Sequence, residues 1–299
     1  MEARDSIGIS PVISVITPTY NRADFLPEAV RSVLDQTFQD FELLIVDDGS
    51  TDKTPETLEP FLKDQRVRYE FQPNQGQSVA RNRALGKARG QFICFLDSDN
   101  AWLPDKLEHQ LAAFNQHPEV DVVYGDIVTI DEQGHELSRK NMRRYSGHIA
   151  AHMLKDNCVS MNTAMARRVC FDEMGGMSGK RRVADDYDLW LRFSAKYRFL
   201  YLPEIFAKYR VMADQISTDK RRRFDTNEQI ILDFLRDFPE AVTEREARGG
   251  LAAFYSRKAR HYACIGDRGT AWRSIVRAIR YGPMNDIVWR AFFRVIYPR

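Results

Sequence analysis

A largely parallel, doubly wound α/β sheet (Rossmann-like) flanked by helices, with an α-helical carboxy-terminal extension, is the fold class this 299-residue sequence predicts. Three observations carry it. Two almost unbroken apolar runs, Leu43–Val46 and Phe92–Leu96, read as strands buried on both faces. Strand-like and helix-like stretches alternate from residue 12 to residue 124, the pattern of consecutive β-α-β units. From Lys220 onward the strand pattern stops and helical spacing takes over.

Taken in order, Val12–Thr17 is an apolar first strand, and Leu26, Ala29, Val30, Val33 and Leu34 then fall at helical spacing over 25–36. Glu42–Val46 is a second strand, Thr54–Leu62 a helix and Val67–Phe71 a third strand. A helix over Gln77–Ala88 leads into the strand Phe92–Leu96. The next helix starts at Pro104, whose fixed φ suits a first helical turn, and Val120–Tyr124 is the strand after it. Past Asp126 the alternation loosens. Thr163–Arg167, Phe199–Leu202 and Phe206–Val211 read as strands, and Asp185–Ala195 as a short helix. Helices are expected over 227–237, 241–264, 269–281 and 287–296. The polar, basic stretch 217–223 marks a boundary between a first unit over 11–218 and a helical region over 219–299.

With 43% apolar and 29% charged residues the chain can build a core and remain soluble. A net charge of +2 gives no general pull toward a polyanion, and nucleic acid is not an expected partner. Cys94, Cys158, Cys170 and Cys264 lie far apart with no C-x-x-C pair, so they read as reduced thiols. Cys94, inside an apolar strand, is a small core hydrophobe. The opening MEARDSIGIS has no apolar signal core, and no segment approaches about 18 consecutive apolar residues. A cytoplasmic location is expected.

Both apolar runs end at carboxylates: Asp47-Asp48-Gly49-Ser50 and Asp97-Ser98-Asp99-Asn100. The carboxyl edge of such a sheet is where ligands bind. In extended geometry Asp97 and Asp99 point the same way. Together they make a hard-oxygen site suited to a divalent cation that also holds a phosphate. The plain alternative is a turn, for which Asp, Asn, Gly and Ser are the usual residues; two such clusters on adjacent units argue against it. The first strand runs out through Thr17-Pro18-Thr19-Tyr20-Asn21-Arg22. Beside these acids Tyr20 could stack on a nucleobase while an Asp accepts its ring N–H; alternatively Tyr20 covers core and Asn21 caps the helix. No G-x-G-x-x-G follows the strand, so the dinucleotide fingerprint is missing.

As an ordered set these segments resemble the family 2 inverting glycosyltransferases of GT-A fold. The matching stretches are Val15–Arg22, Ile45–Asp52, Asn74-Gln75-Gly76 leading to Ala80-Arg81-Asn82, Gly90–Ile93 into Asp97-Ser98-Asp99, and Asp185–Arg192. The likeness covers 12–217, about seven-tenths of the chain. It implies a nucleotide-sugar donor, a UDP-sugar first, with Thr17, Pro18, Tyr20, Asp48, Arg81, Asp97 and Ser98 around it. Tyr20 would stack on uracil, Asp48 would accept its N–H, and Asp97 would bind ribose or sugar. Asp99 would hold Mn²⁺ or Mg²⁺ on the diphosphate. Arg81 would lie near the donor phosphate or orient the acids, its plain alternative being a solvated helix arginine. Asp186 matches the catalytic base, which takes a proton from the acceptor hydroxyl. At a helix start its carboxyl is expected to stay ionised; a helix cap is the alternative. The acceptor would be a saccharide or a lipid-diphosphate-linked sugar in cell-surface polysaccharide synthesis.

Three positions depart from the family pattern. Asn100 stands where a third acid is common, Asp185 where Glu is commoner, and Met212 where many relatives have a His. The Q-x-x-R-W signature of processive members is absent, which favours transfer of one sugar per encounter. A sugar-1-phosphate nucleotidyltransferase would carry a Gly- and Arg/Lys-rich loop after the first strand, and 17–22 is not one. A non-catalytic scaffold would not need both Asp99 and Asp186. From Arg245 twelve basic residues face three acidic ones, a net charge of +9, among Trp272, Tyr281, Trp289, Phe292, Phe293 and Tyr297. Helices of that composition lie in bilayer interfaces, so peripheral contact with the inner face of the cell membrane is expected. Packing on the catalytic unit or a homodimer contact is the alternative.

Overall fold

A computed structural model describes residues 10–139, 143–179, 181, 183–212 and 219–297. The first half alternates as expected: β1 (Ile13–Thr19), α1 (Leu26–Leu34), β2 (Phe41–Asp47), α2 (Thr54–Leu58), β3 (Val67–Phe71), α3 (Gln77–Leu85) and β4 (Phe92–Phe95). Then come β5 (Ala101–Trp102), α4 (Lys106–Gln116), β6 (Val122–Ile130), β7 (Glu136–Arg139), α5 (Ala150–Met153), β8 (Met165–Arg167), α6 (Arg168–Met174), α7 (Asp185–Ser194) and β9 (Phe199–Arg210). Four helices follow: α8 (Lys220–Asp237), α9 (Glu244–Cys264), α10 (Arg268–Tyr281) and α11 (Asp286–Ile296).

Nine strands form one sheet in the order β3-β2-β1-β4-β8-β6-β9-β5, with β7 beside β6. The expected parallel pairing holds from β3 to β4, with Thr19 opposite Asp47. β8 then runs antiparallel between β4 and β6, so the second half is mixed. The two strands expected over 199–202 and 206–211 are one strand, β9, whose register against β6 slips between Tyr124 and Ile127. Pro203 sits in that irregularity, where its missing N–H breaks no ladder. The helix expected to reach Leu62 ends at Leu58, because Pro60 has no N–H with which to continue the ladder. The chain continues as a 3₁₀ turn over Phe61–Lys63. The short β5, β7, α5 and α6 carry too few residues to show a period. Of the boundary expected over 217–223, residues 217–218 lie outside the described residues, as does most of the amino-terminal decapeptide, and α8 begins at Lys220.

The sheet separates two apolar clusters. On one face Val15, Ile45 and Cys94 pack against Val30 and Val33 of α1 and Leu107 and Phe114 of α4. On the other, Ile16, Val46 and Phe95 meet Ala80 and Ala84 of α3 and Leu189, Trp190 and Phe193 of α7. That second cluster continues without a break into Ile231, Phe254, Ile275 and Val288 of the carboxy-terminal helices. Helix α9 begins in a capping box between Thr243 and Glu246. It docks closely on the turn after α5: a Cβ on Gly250 would stand 2.5 Å from Leu154 Cβ, so only glycine fits.

Candidate active site

Parallel pairing brings the carboxyl ends of β1, β2 and β4 to one edge, where the loops after β1 and β2 lace together. Asn21, held at φ 51°, accepts the Thr51 N–H at 2.8 Å and donates its own N–H to Ser50 Oγ at 2.9 Å. Arg22 N–H donates to Thr54 Oγ1 at 2.9 Å. The lacing leaves the Tyr20 ring 46% exposed at the rim. Thr17 and Pro18 are buried inside β1. Strand alternation places the Thr17 hydroxyl on the Val15 side, away from Tyr20, and it finds no partner among the described residues.

Asp48 is buried and accepts three hydrogen bonds: Gln72 Nε2 at 2.7 Å, Gln75 N–H at 2.8 Å and Gly76 N–H at 2.7 Å. Its first task is therefore to shape the loop that starts α3. Of roughly four lone-pair positions on a carboxylate, one remains for a ring N–H.

Arg81 joins the two halves of the edge. It is 4% exposed, not a solvated helix residue, and orients two acids. One nitrogen lies 2.6 Å from Asp185 Oδ2 and another 2.5 Å from Asp97 Oδ1. Ser78 Oγ and Gln77 Nε2 also donate to Asp185, at 3.0 and 3.1 Å. Asn162 completes the frame: its Nδ2 donates to Asp97 Oδ2 at 2.9 Å and its Oδ1 accepts the Asp97 N–H at 2.8 Å.

Asp99 lies two residues on, its side chain 15% exposed and 3.8 Å from Arg22 Nε. Burial and the nearby Asp97 carboxylate push its pKa up to about 6, against the pull of Arg22 and Arg210. Ser98 is buried in the same turn. Asn100 Oδ1 accepts the Arg210 N–H at 2.8 Å, tying the end of β9 to this edge. Arg210 Nε also donates to the Asp99 carbonyl at 3.1 Å.

No group of three His, Cys, Asp or Glu side chains gathers here among the described residues. Met212 is buried, and its soft thioether does not suit a hard cation. Asp99, with Asp97 beside it, offers one or two hard oxygens. That donor set fits Mg²⁺ or Mn²⁺ taking its other ligands from water and a diphosphate, as Mg²⁺ commonly does.

Across Arg81, α7 opens from Ala184, a non-glycine residue at φ 59°. Such strain is often held at functional sites. Asp186 is half-buried and accepts Asn157 Nδ2 at 2.9 Å. Burial first, then the Asp185 charge, raise its pKa above the ordinary carboxylate value; Arg223 and Arg81 oppose them. The helix start therefore does not set the direction of the shift: burial, which disfavours the charged form, outweighs it. A raised value suits a general base, whose pKa should approach the working pH.

The structure thus brings Arg81, Asp97 and Asp185 into contact and sets Asp99 and Asp186 on either side. Sequence reasoning missed Arg22, Gln77, Ser78, Asn157, Asn162 and Arg210 as site residues. Gln77, Ser78 and Arg81 begin one helix at spacings that share a face, a usable signal. Asn157 and Asn162 lie in 126–165, where no periodic pattern announces them.

The carboxy-terminal residues divide. Tyr281 turns inward and stacks on Tyr255 with ring centroids 5.8 Å apart. Trp272, Trp289, Phe292 and Phe293 form an outward cluster linked by edge contacts at 5.4–6.0 Å. Part of the segment's positive charge is met by α8: Lys258 pairs with Asp225 and Glu228, and Arg277 with Glu228. Arg257 pairs with Asp156. Arg290 and Arg294 remain exposed on α11. Among the described residues no helix is long and apolar enough to cross a membrane.

The description of glycosyl transferase family 2 matches residues 14–187. Over 214 residues the chain is 34% identical to TuaG of Bacillus subtilis, provisionally named a teichuronic acid biosynthesis glycosyltransferase; the match covers 70% of this chain and 83% of that protein. It is 31% identical over 202 residues to an uncharacterised glycosyltransferase of Rickettsia bellii, covering 68% of this chain but 29% of that longer protein. In fold it is similar to S. aureus TarS 1–349 in complex with UDP-GlcNAc, with a TM-score of 0.63, 19% identity, and 92% and 93% of the two chains covered. A mannosyltransferase from Pyrobaculum calidifontis in complex with GDP-Man and Mn²⁺ aligns with a TM-score of 0.61 and 20% identity, over 98% of this chain and 89% of that one.

Proposed function

The chain belongs to glycosyl transferase family 2, and from that membership we propose that it is an inverting, divalent-metal-dependent enzyme. It moves one hexosyl or N-acetylhexosaminyl group per encounter from a nucleotide sugar, a UDP-sugar first. The acceptor is a saccharide or a lipid-diphosphate-linked sugar in cell-surface polysaccharide synthesis. The observation that carries this is the Asp97–Arg81–Asp185 bridge, which fixes the strand-end acids and the start of α7 in one rigid frame. Within it the nucleobase stacks on Tyr20 and its ring N–H reaches Asp48. Ribose or sugar lies at Asp97, with Thr17, Pro18 and Ser98 forming the wall behind. Asp99 holds Mn²⁺ or Mg²⁺, which when bound neutralises charge on the departing diphosphate. Asp186 takes the proton of the acceptor hydroxyl as its oxygen attacks the anomeric carbon. One in-line displacement inverts that carbon, with no covalent intermediate.

Incubating the protein with UDP-, GDP- and dTDP-sugars in Mn²⁺ or Mg²⁺, without acceptor, tests this. Slow metal-dependent release of the nucleotide from at least one donor is expected. Release from none of them contradicts the proposal.

Residues 11–218 form the catalytic unit in this proposal, and 219–299 the part that meets the acceptor's surroundings. The Trp272–Phe293 cluster, flanked by exposed Arg290 and Arg294, seats the cytoplasmic protein on the anionic inner face of the cell membrane. Each Lys or Arg near such a surface contributes about 1 kcal/mol. Replacing Trp289 and Phe293 by Ser should abolish sedimentation with phosphatidylglycerol vesicles at low salt while leaving donor hydrolysis intact. Wild-type protein that stays in the supernatant, and is dimeric by light scattering, would assign these helices to a homodimer contact instead.

A further inference from the structure

We propose that Asn157 is a positioning residue for Asp186, its side-chain amide holding the carboxylate in the orientation and charge state that proton removal needs. The purpose rests on the reading of Asp186 as the base; the contact itself does not.

Asn157 is buried in the loop after α5, far from α7 in sequence. Its Nδ2 donates to Asp186 Oδ2 at 2.9 Å, while its Oδ1 accepts the Val159 N–H at 3.1 Å. Chemistry assigns both ends of this amide. Turned over, it would set its NH₂ against the Val159 N–H and its oxygen against a carboxylate, two repulsions in place of two hydrogen bonds. Only one orientation is available, and it aims a donor at Asp186.

Both partners are fixed independently of their bond. The Asn157 N–H donates to Asp156 Oδ1 at 3.0 Å, and Asp156 in turn pairs with Arg257 of α9 at 2.6 Å. Arg144, its side chain 2% exposed, donates to the Cys158 carbonyl and lies 2.9 Å from Asp126 Oδ1 on β6. Tyr201 of β9 donates its hydroxyl to the other Asp126 oxygen at 2.5 Å. On the far side Tyr187, next to Asp186, donates its hydroxyl to the Met153 carbonyl of α5 at 2.7 Å. The sheet thus sets the loop, α5 sets the start of α7, and the Asn157 amide joins them at the carboxylate.

The charged groups around Asp186 pull in opposite directions. Burial and Asp185 disfavour its charge, whereas Arg223 of α8 and Arg81 of α3 favour it. Among the described residues no other side chain donates a hydrogen bond to this carboxylate. A donated hydrogen bond favours the ionised form, the form a base must have to accept a proton.

Two substitutions separate this role from the shape of the loop. Asn157→Ser keeps a short side-chain oxygen that can accept the Val159 N–H, but its hydroxyl is too short to reach Asp186. Asn157→Asp keeps the turn oxygen and the volume, and puts a like charge where the donor was. Both should unfold in urea near the wild-type midpoint. Carbon-13 NMR titration of the Asp186 carboxyl in the resting protein is the first readout, the signal being identified by its loss in Asp186→Asn. Its pKa should rise by about one unit in the Ser variant. In the Asp variant, where two carboxylates share the site, ionisation should move higher again. The second readout is hydrolysis, in Mn²⁺, of whichever UDP-, GDP- or dTDP-sugar wild type cleaves, with water in place of the acceptor. At neutral pH kcat should fall at least about tenfold in both variants, and the acidic limb should shift upward in the same order, with UDP affinity unchanged. Adding Asn157→Ser to Asp186→Asn should cost nothing further, because Asn157 acts through Asp186. An Asp186 pKa unchanged in both variants overturns the proposal. So does unchanged hydrolysis in both while Asp186→Asn is slow. Hydrolysis indifferent to Asp186→Asn would sink the base reading instead, and the NMR titration would still decide whether Asn157 holds the carboxylate.

Discussion

Asp186→Asn should lower kcat at least about a hundredfold, the usual cost of losing a general base, while leaving UDP affinity and folding unchanged. The amide is nearly isosteric and keeps an oxygen that can accept from Asn157, which now donates to Asp186 Oδ2 at 2.9 Å. What it loses is a site for the acceptor's proton. The pH profile gives a second signature. Burial and Asp185 raise the Asp186 pKa, and only the ionised form can act as base. Wild-type activity should therefore fall as the pH drops through a value above the ordinary carboxylate range, and the Asn variant should lack that limb. A kcat within about threefold of wild type would remove Asp186 from the base role.

Arg81→Met should destabilise the fold by about 3–5 kcal/mol, because it leaves two carboxylates without the cation buried between them. Arg81 touches Asp185 at 2.6 Å and Asp97 at 2.5 Å, and only 4% of it is exposed. A surface ion pair would matter far less, about 0–1 kcal/mol. Urea unfolding checks this: the midpoint should fall with an unchanged slope. Arg81→Lys keeps the charge but cannot reach both acids with separate nitrogens, so an intermediate loss is expected. A midpoint equal to wild type for the Met variant would mean the bridge holds nothing together.

The parallel half of the sheet was legible because its inner strands, β1, β2 and β4, are buried on both faces. Leu43–Val46 and Phe92–Leu96 had to be continuous apolar runs, and such runs can end abruptly only where the chain reaches solvent or ligand. Asp47, Asp48, Asp97 and Asp99 were found for that reason. The mixed half was not legible in the same way. β8 has three residues and β5 two, too short for any period to show. The kinked β9 read as two strands because Pro203 and Glu204 interrupt its apolar pattern.

The site was half visible. Side chains at strand ends and helix starts could be placed from local pattern. Their partners could not, because hydrogen bonds such as Asn162 to Asp97 join positions 65 residues apart. Asp48 shows the limit most clearly. Its position at the strand end was correct, yet the three donors that engage it come from the loop after the next strand. Asp186 shows it too: a dipole argument from its own helix missed the burial imposed by the rest of the chain.

Titration calorimetry of UDP, with Mn²⁺ and with EDTA, on wild type and Asp99→Ala, tests the donor site most directly. Asp97 and Asp99 carry negative charge toward a diphosphate, so binding needs a cation between them. UDP should bind wild type with Mn²⁺, and chelator or loss of the Asp99 carboxylate should each weaken that binding at least about tenfold. Undiminished UDP affinity in EDTA, or in Asp99→Ala with Mn²⁺ present, would contradict a metal-held nucleotide diphosphate at this edge.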